Sequence, residues 1–299
     1  MLAVMTTGSS TLPLPQRFDR WARLTRLDKP IGVLLLLWPT LTALWLAAGG
    51  PPPLHILAIF VAGTFLMRSA GCAVNDVADR DFDRHVERTR QRVVTSGLVS
   101  PREALTVAFV LALAAGLLVL PLNLLTWKLS VVALAIAAAY PFFKRFFAVP
   151  QAFLGIAFSF GIPMAFAAVR NEIPAAAWGL MIANLFWVIA YDTEYAMVDI
   201  ADDRTIGIRT SAITFGRAVI PITMLCYGVF LAGMLALGVV FDRHAFYWIG
   251  IAIACGLSLY HLTLIRSHAP ADCFRAFLNN HWIGAAIFAG VVLDHVDLG

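Results

Sequence analysis

From Phe60 to His85 the chain reads FVAGTFLMRSAGCAVNDVADRDFDRH, an apolar run that ends in four aspartates and one asparagine between Asn75 and Asp83. A bilayer core about 30 Å thick needs about 20 apolar residues per helix, so the run reads as a membrane span whose tip carries charge. The rest of the chain repeats the pattern. Nine candidate spans fall near 30–48, 54–74, 103–121, 124–140, 150–169, 174–191, 218–240, 245–265 and 281–296, the last of them short. A tight turn at Pro121 to Asn123 separates the third from the fourth. The 299 residues are 60% hydrophobic and 13% charged, with mean hydropathy +0.81. Soluble domains carry about 25% charged residues, so the expected fold class is an all-α, polytopic bundle of nine transmembrane helices.

Residues 1–29 are rich in Arg and lack an apolar core, so they are expected to be a cytoplasmic segment and not a cleavable signal. Residues 30–299 then form a single transmembrane domain. Eighteen of the 22 Lys and Arg fall on one side of the nine spans, among them Arg17, Arg20, Arg23, Arg26 and Lys29. The positive-inside rule puts that side, and the amino terminus, in the cytoplasm and the carboxy terminus outside. This bias accounts for the net charge of +4 without a nucleic-acid partner. The four cysteines form no C-x-x-C pair, which argues against zinc and against a disulfide framework. They are expected to be small core residues, with Cys273 in a loop.

Two connections are long, 75–102 and 192–217, and both lie on the cytoplasmic side. The first opens NDVADRDFDRHVERTRQRVVTSG (Asn75–Gly97) and the second is YDTEYAMVDIADDRTIGIRTSAITFG (Tyr191–Gly216). Each runs from carboxylates through an Arg-Thr element to a Gly before the next span, a weak internal repeat of the kind that places a site between two related halves. At about 100° per residue, Asp76, Asp79 and Asp83 fall within roughly 60° of helix surface, and Asp192, Asp199 and Asp203 within roughly 40°. Like charges stacked on one face repel, and the cost grows as the dielectric falls. Mg²⁺ relieves it: the ion prefers hard oxygen ligands and binds through a few carboxylates plus substrate phosphates. Two such faces, on the second and sixth spans, suggest metal gripping a diphosphate. Lys144, Arg145 and the intramembrane Arg68 supply cations suited to the same anion.

Blander readings exist for each part. An acidic run after a span is commonly a solvated face, Lys144 and Arg145 satisfy the positive-inside bias, and Arg68 could pair two helices. The recurrence of the acidic face on two spans favours the site.

These stretches resemble the intramembrane aromatic prenyltransferases of the UbiA superfamily, and within it the bacterial branch that prenylates 4-hydroxybenzoate on the way to ubiquinone. The likeness runs from RLDKPIGVLLLLWPT (Arg26–Thr40) to the last span and is most specific in RSAGCAVNDVADRDFDRHVERT (Arg68–Thr89), YPFFKR (Tyr140–Arg145) and YDTEYAMVDIADD (Tyr191–Asp203). The family pattern N-D-x-x-D-x-x-x-D falls on Asn75, Asp76, Asp79 and Asp83, and D-x-x-x-D falls on Asp199 and Asp203, with Asp192 upstream. The resemblance implies a central cavity capped by the two cytoplasmic loops, with Mg²⁺ as cofactor. Asp76, Asp79, Asp83, Asp199 and Asp203 would be its ligands, and Asp192 would join them in catalysis. Asn75, Lys144, Arg145 and Arg68 would hold the diphosphate of a polyprenyl diphosphate, and Arg26, Lys29 and Tyr140 the aromatic acceptor. No protein partner is implied beyond membrane lipid. One departure stands in RVVTSG (Arg92–Gly97), where Val93 replaces a proline common in relatives. The competing classes are a sister enzyme with another aromatic or tetrapyrrole acceptor and a cation transporter, the latter disfavoured by carboxylates at one surface rather than at mid-membrane.

Overall fold

A computed structural model describes residues 14–143 and 147–296, apart from the side chains of Leu14, Pro15, Phe142 and Phe143. Fourteen α-helices run in order: α1 Leu14–Leu24, α2 Ile31–Ala48, α3 Leu54–Ala78, α4 Arg80–Asp83, α5 Pro101–Val119, α6 Leu124–Phe143, α7 Pro150–Ser159, α8 Gly161–Arg170, α9 Ala175–Val198, α10 Ile200–Ile206, α11 Ser211–Phe215, α12 Val219–Val240, α13 Ala245–Ile265 and α14 Pro270–Val296. Among the described residues, nine helical stretches are long and apolar enough to cross a membrane, with α7 and α8 forming one and α11 to α12 another.

Local chemistry sets the boundaries. Ser100 accepts a hydrogen bond from the Glu103 N–H, and Pro101 follows at the first helical position, so S-P-R-E starts α5 as a capped helix. Asn123 Oδ1 caps α6 at the Thr126 N–H, 2.9 Å away. Gly49, at φ +68°, ends α2 in the left-handed conformation that glycine reaches at least cost.

Three boundaries depart from the hydropathy reading. The ninth span begins at Pro270, not 281, because its first half carries Asp272, Arg275, Asn279, Asn280 and His281 on an otherwise helical frame. Cys273 therefore lies buried in that helix and not in a loop. The fifth span breaks at Phe160 into α7 and α8. The second continues to Ala78, carrying Asn75 and Asp76 on the helix itself. All four cysteines are free, but Cys255 is exposed on α13 and is no core residue.

One apolar core joins α2, α3, α7, α8, α9, α12, α13 and α14. The α5 and α6 spans lie at the edge, with 17% and 11% of their spanning windows buried, so most of their surface is left for lipid. A separate cluster under the first long loop gathers Leu24, Ala70, Ala73, Val93, Val94 and Val99. Val93 is 1% exposed, and among the described residues its N–H makes no hydrogen bond, so a proline at this position would give up none.

α13 and α14 pack backbone against backbone. A Cβ at Gly250 would stand 2.6 Å from the Ala286 carbonyl oxygen, and one at Gly290 2.8 Å from that of Phe246. Both obstacles are backbone, which cannot swing aside. Replacing Gly250 by Ala is expected to cost about 1–3 kcal/mol, the usual range for overpacking. Thermal unfolding in detergent should show a lower midpoint for Gly250→Ala, whereas Gly256→Ala, with open space at its Cβ, should leave it near native.

Candidate active site

The two acidic motifs share a backbone plan. α3 ends at Ala78 with Asp79 as its cap, and α4 then carries Asp83, whose N–H bonds the Asp79 carbonyl at 2.9 Å. α9 ends at Val198 with Asp199 as its cap, and α10 carries Asp203, whose N–H bonds the Asp199 carbonyl at 2.9 Å. Each D-x-x-x-D thus straddles a helix break, which corrects the single continuous helix assumed from the 100° wheel. The second aspartate sits in the first turn of a new helix, where backbone N–H groups favour negative charge. Asp83 and Asp203 are both buried, and Asp76 is 1% exposed.

The first loop brings the motifs together. The Glu87 N–H donates to Asp202 Oδ2 at 3.1 Å. Arg88 forks onto Asp199, with Nη2 2.5 Å from Oδ2 and Nε 3.1 Å from both oxygens. Its guanidinium also lies 4.4 Å from the Tyr195 ring centroid and donates to the Tyr195 hydroxyl. On the first motif, Arg26 Nη2 donates to Asp76 Oδ1 at 2.7 Å, and Arg92 Nη1 reaches Asp83 at 2.8 Å and Asp76 at 3.6 Å. Three arginines therefore stand on the carboxylates. They do not neutralise them fully. Burial pushes the Asp203 carboxyl up to about 7, with Asp199 adding to the rise and Arg88 opposing it. Burial likewise raises Asp83, against Arg92.

Of the other expected residues, Arg68 lies in α3 with its guanidinium against Gly32, where a Cβ would meet Nη2 at 2.5 Å. Nη1 donates to Cys72 Sγ at 2.9 Å, the group lies 5.7 Å from the Phe158 ring centroid, and Nε is buried without a hydrogen-bond partner. Tyr140 stacks on Phe153 at 6.5 Å. Asn75, Asp79 and Asp192 are half-buried on or beside the same helix ends. Arg26 faces Asp76, whereas Lys29 is exposed and forms no ion pair among the described residues. Lys144 and Arg145 lie outside the described residues.

The sequence reading missed Arg88 and Arg92 as site residues, because a loop rich in Arg satisfies the positive-inside bias without further cause. It also passed over Glu194, within the quoted motif, which is fully buried in a polar cluster with Tyr227, His261 and Asn280.

The fit of a divalent cation was tested on the donors. Among the described residues no three carboxylates already converge at ligating distance, since arginines occupy them. The donor set is nonetheless all hard oxygen, and Asp76 Oδ2 is buried with no hydrogen-bond partner. An acceptor left bare in this way costs about 1–3 kcal/mol unless something positive meets it. The residues fit Mg²⁺.

The sequence profile described as the UbiA prenyltransferase family matches residues 36–284. A 4-hydroxybenzoate octaprenyltransferase of Nitrosospira multiformis is 63% identical over 285 residues, covering 95% of this chain and 98% of that protein. One of Cupriavidus necator is 60% identical over 280 residues, covering 94% and 98%. In fold, the apo UbiA homolog of Aeropyrum pernix K1 superposes with TM-score 0.78 at 24% identity, covering 87% of this chain and 97% of that one. The Archaeoglobus fulgidus UbiA homolog bound to GPP and Mg2+ superposes with TM-score 0.70 at 17% identity, covering 93% and 99%. Nine membrane-length helices among the described residues, two D-x-x-x-D breaks joined through Glu87 and Arg88 of the first loop, and a family profile spanning most of the sequence agree: the chain is an integral membrane protein that belongs to the UbiA prenyltransferase family.

Proposed function

We propose that this chain transfers a polyprenyl group from polyprenyl diphosphate to the ring carbon ortho to the hydroxyl of 4-hydroxybenzoate, with Mg²⁺ as cofactor, as an early membrane step of ubiquinone biosynthesis. The observation that carries this reading is the junction of the two acidic tips through Arg88 and the Glu87 N–H. The relatives named for 4-hydroxybenzoate, at about 60% identity, support the acceptor.

Asp76, Asp79, Asp83, Asp199 and Asp203, with Asp192 beside them, would hold Mg²⁺, which supplies positive charge against the diphosphate. Asn75, Arg68, Lys144 and Arg145 bind and orient the same anion, so that charge growing on the leaving group meets fixed cations. Breaking the allylic C–O bond leaves a carbocation that water would quench. The first loop, closed over the tips by Arg88 and packed on its own valine cluster, excludes that water. Arg26 and Lys29, with Tyr140, take the acceptor's carboxylate and ring, and the nucleophilic ring carbon attacks before losing its proton. The Lys and Arg bias supports a bacterial inner-membrane orientation with the amino terminus cytoplasmic and the carboxy terminus external.

Membranes containing the chain, given labelled isoprenyl diphosphate and 4-hydroxybenzoate, should yield a prenylated acid by mass spectrometry; cation flux without product would instead identify a transporter. Asp76→Asn and Asp199→Asn should each abolish turnover while immunoblots show normal membrane insertion, and a native rate in either would remove that residue from the site. EDTA should stop the reaction and added Mg²⁺ restore it. Gly32→Val, which drives a side chain into the Arg68 guanidinium, should lower kcat/KM at least about tenfold, a loss of roughly 1.4 kcal/mol of transition-state stabilisation.

A further inference from the structure

Glu194 lies on α9 two residues after Asp192 and five before Asp199. At about 100° per residue it projects roughly 200° from the first and 140° from the second, on the back of the helix. There it enters a closed polar cluster built from four helices. The Tyr227 hydroxyl of α12 donates to Glu194 Oε1 at 2.9 Å, and Asn280 Nδ2 of α14 donates to Oε2 at 2.8 Å. His261 of α13 sets Nδ1 3.0 Å from the Tyr227 oxygen and 3.5 Å from Glu194 Oε1, and Nε2 3.0 Å from Asn279 Oδ1. Asn280 Oδ1 accepts from Trp187 Nε1 at 2.9 Å and lies 2.9 Å from the Tyr227 hydroxyl. Tyrosine has one hydroxyl proton, so if Glu194 receives it, the Tyr227 oxygen accepts from a His261 Nδ1–H. Glu194, His261 and Asn280 are 0% exposed.

Stability alone does not call for this cluster. Well-packed apolar side chains in place of a buried ion pair are often neutral or stabilising, and ionisable groups inside membrane bundles usually serve function. What a satisfied network supplies is a single rotational setting for its helix. A carboxylate at the rim of a helix, about 6 Å from the axis, moves about 2 Å for a 20° turn. Metal–oxygen distances tolerate about 0.2 Å.

We propose that the Glu194–Tyr227–His261–Asn280 network positions the second acidic motif, fixing the rotation of α9 so that Asp192 and Asp199 face the metal and diphosphate. This rests on the reading of the two motifs as a metal–diphosphate site. The four are positioning residues and touch no reacting atom.

The test uses the purified full chain in nanodiscs, with Mn²⁺ as the paramagnetic probe, titrated by electron paramagnetic resonance. Tyr227→Phe and Glu194→Gln should weaken Mn²⁺ binding about tenfold or more, the usual effect of removing a supporting partner behind a metal ligand. In Tyr227→Phe, which keeps the ring and its packing, the Mg²⁺ needed for half-maximal rate should rise while kcat at saturating Mg²⁺ returns to within about twofold of native. Mn²⁺ affinity unchanged in both variants, with only the melting temperature lowered in EDTA, would overturn the proposal and leave a plain structural lock. If the native chain binds no Mn²⁺, or Asp199→Asn leaves its binding untouched, the reading of the site itself falls and this inference with it.

Discussion

A carboxylate that leaves water at the rim of a membrane must find positive charge, and this chain buries three of its six motif aspartates. Asp76 is nearly sealed, and Asp83 and Asp203 are buried in the turns that follow. Burial raises the latter two toward protonation, which shows that the arginines offset only part of the penalty. The folding of the first long loop follows from that unmet charge. Arg92 returns to Asp83 from nine residues away, Arg26 reaches Asp76 from the segment before the first span, and Arg88 crosses to Asp199. Once three guanidinium groups are fixed, the intervening residues have little freedom, and Val93, Val94 and Val99 fill the space beneath them.

Hydropathy alone carried the count of nine spans, because nothing in a 30 Å apolar slab competes with a helix for backbone hydrogen bonds. It could not carry their ends. Pro270–Ile283 mixes Asp272, Arg275 and two asparagines with Phe and Leu, and an average over such a stretch falls below the threshold for hydrocarbon. The polar residues are tolerated since Asn280 and its neighbour Asn279 bond to other helices instead of facing lipid. The break at Phe160 has no signal of that kind. Gly161, where a Cβ would lie 2.8 Å from Thr40 Oγ1, shows that close packing against α2 matters there, and a one-dimensional pattern does not report it.

The carboxylates were legible because their spacing is local; their partners were not. Arg88 and Asp199 are 111 residues apart, and Glu194 and Asn280 are 86 apart, so neither pairing leaves a trace at helical period. Glu194 stands in the same thirteen-residue stretch as three site aspartates, yet it points away from them. A helical wheel drawn for the acidic face sets it aside as an outlier, when it marks the face that anchors the helix.

The two motifs reach equivalent positions by different means. In both, the first aspartate of D-x-x-x-D caps the long helix and the second begins the next turn, which is the structural content of the faint repeat between the halves. Yet the first is held from in front, by arginines that bind its carboxylates directly, and the second chiefly from behind, by a neutral and acidic network on the opposite face of α9. The asymmetry has a consequence for the order of events. Positive charge arriving at the first motif competes with Arg26 and Arg92, whereas at the second it competes with Arg88 alone, the one arginine that also joins the halves. A cation that displaces Arg88 from Asp199 still leaves the Arg88 contact with Tyr195 and the Glu87 N–H on Asp202, so the loop stays joined to the second half while the network behind α9 holds the rotation of that helix.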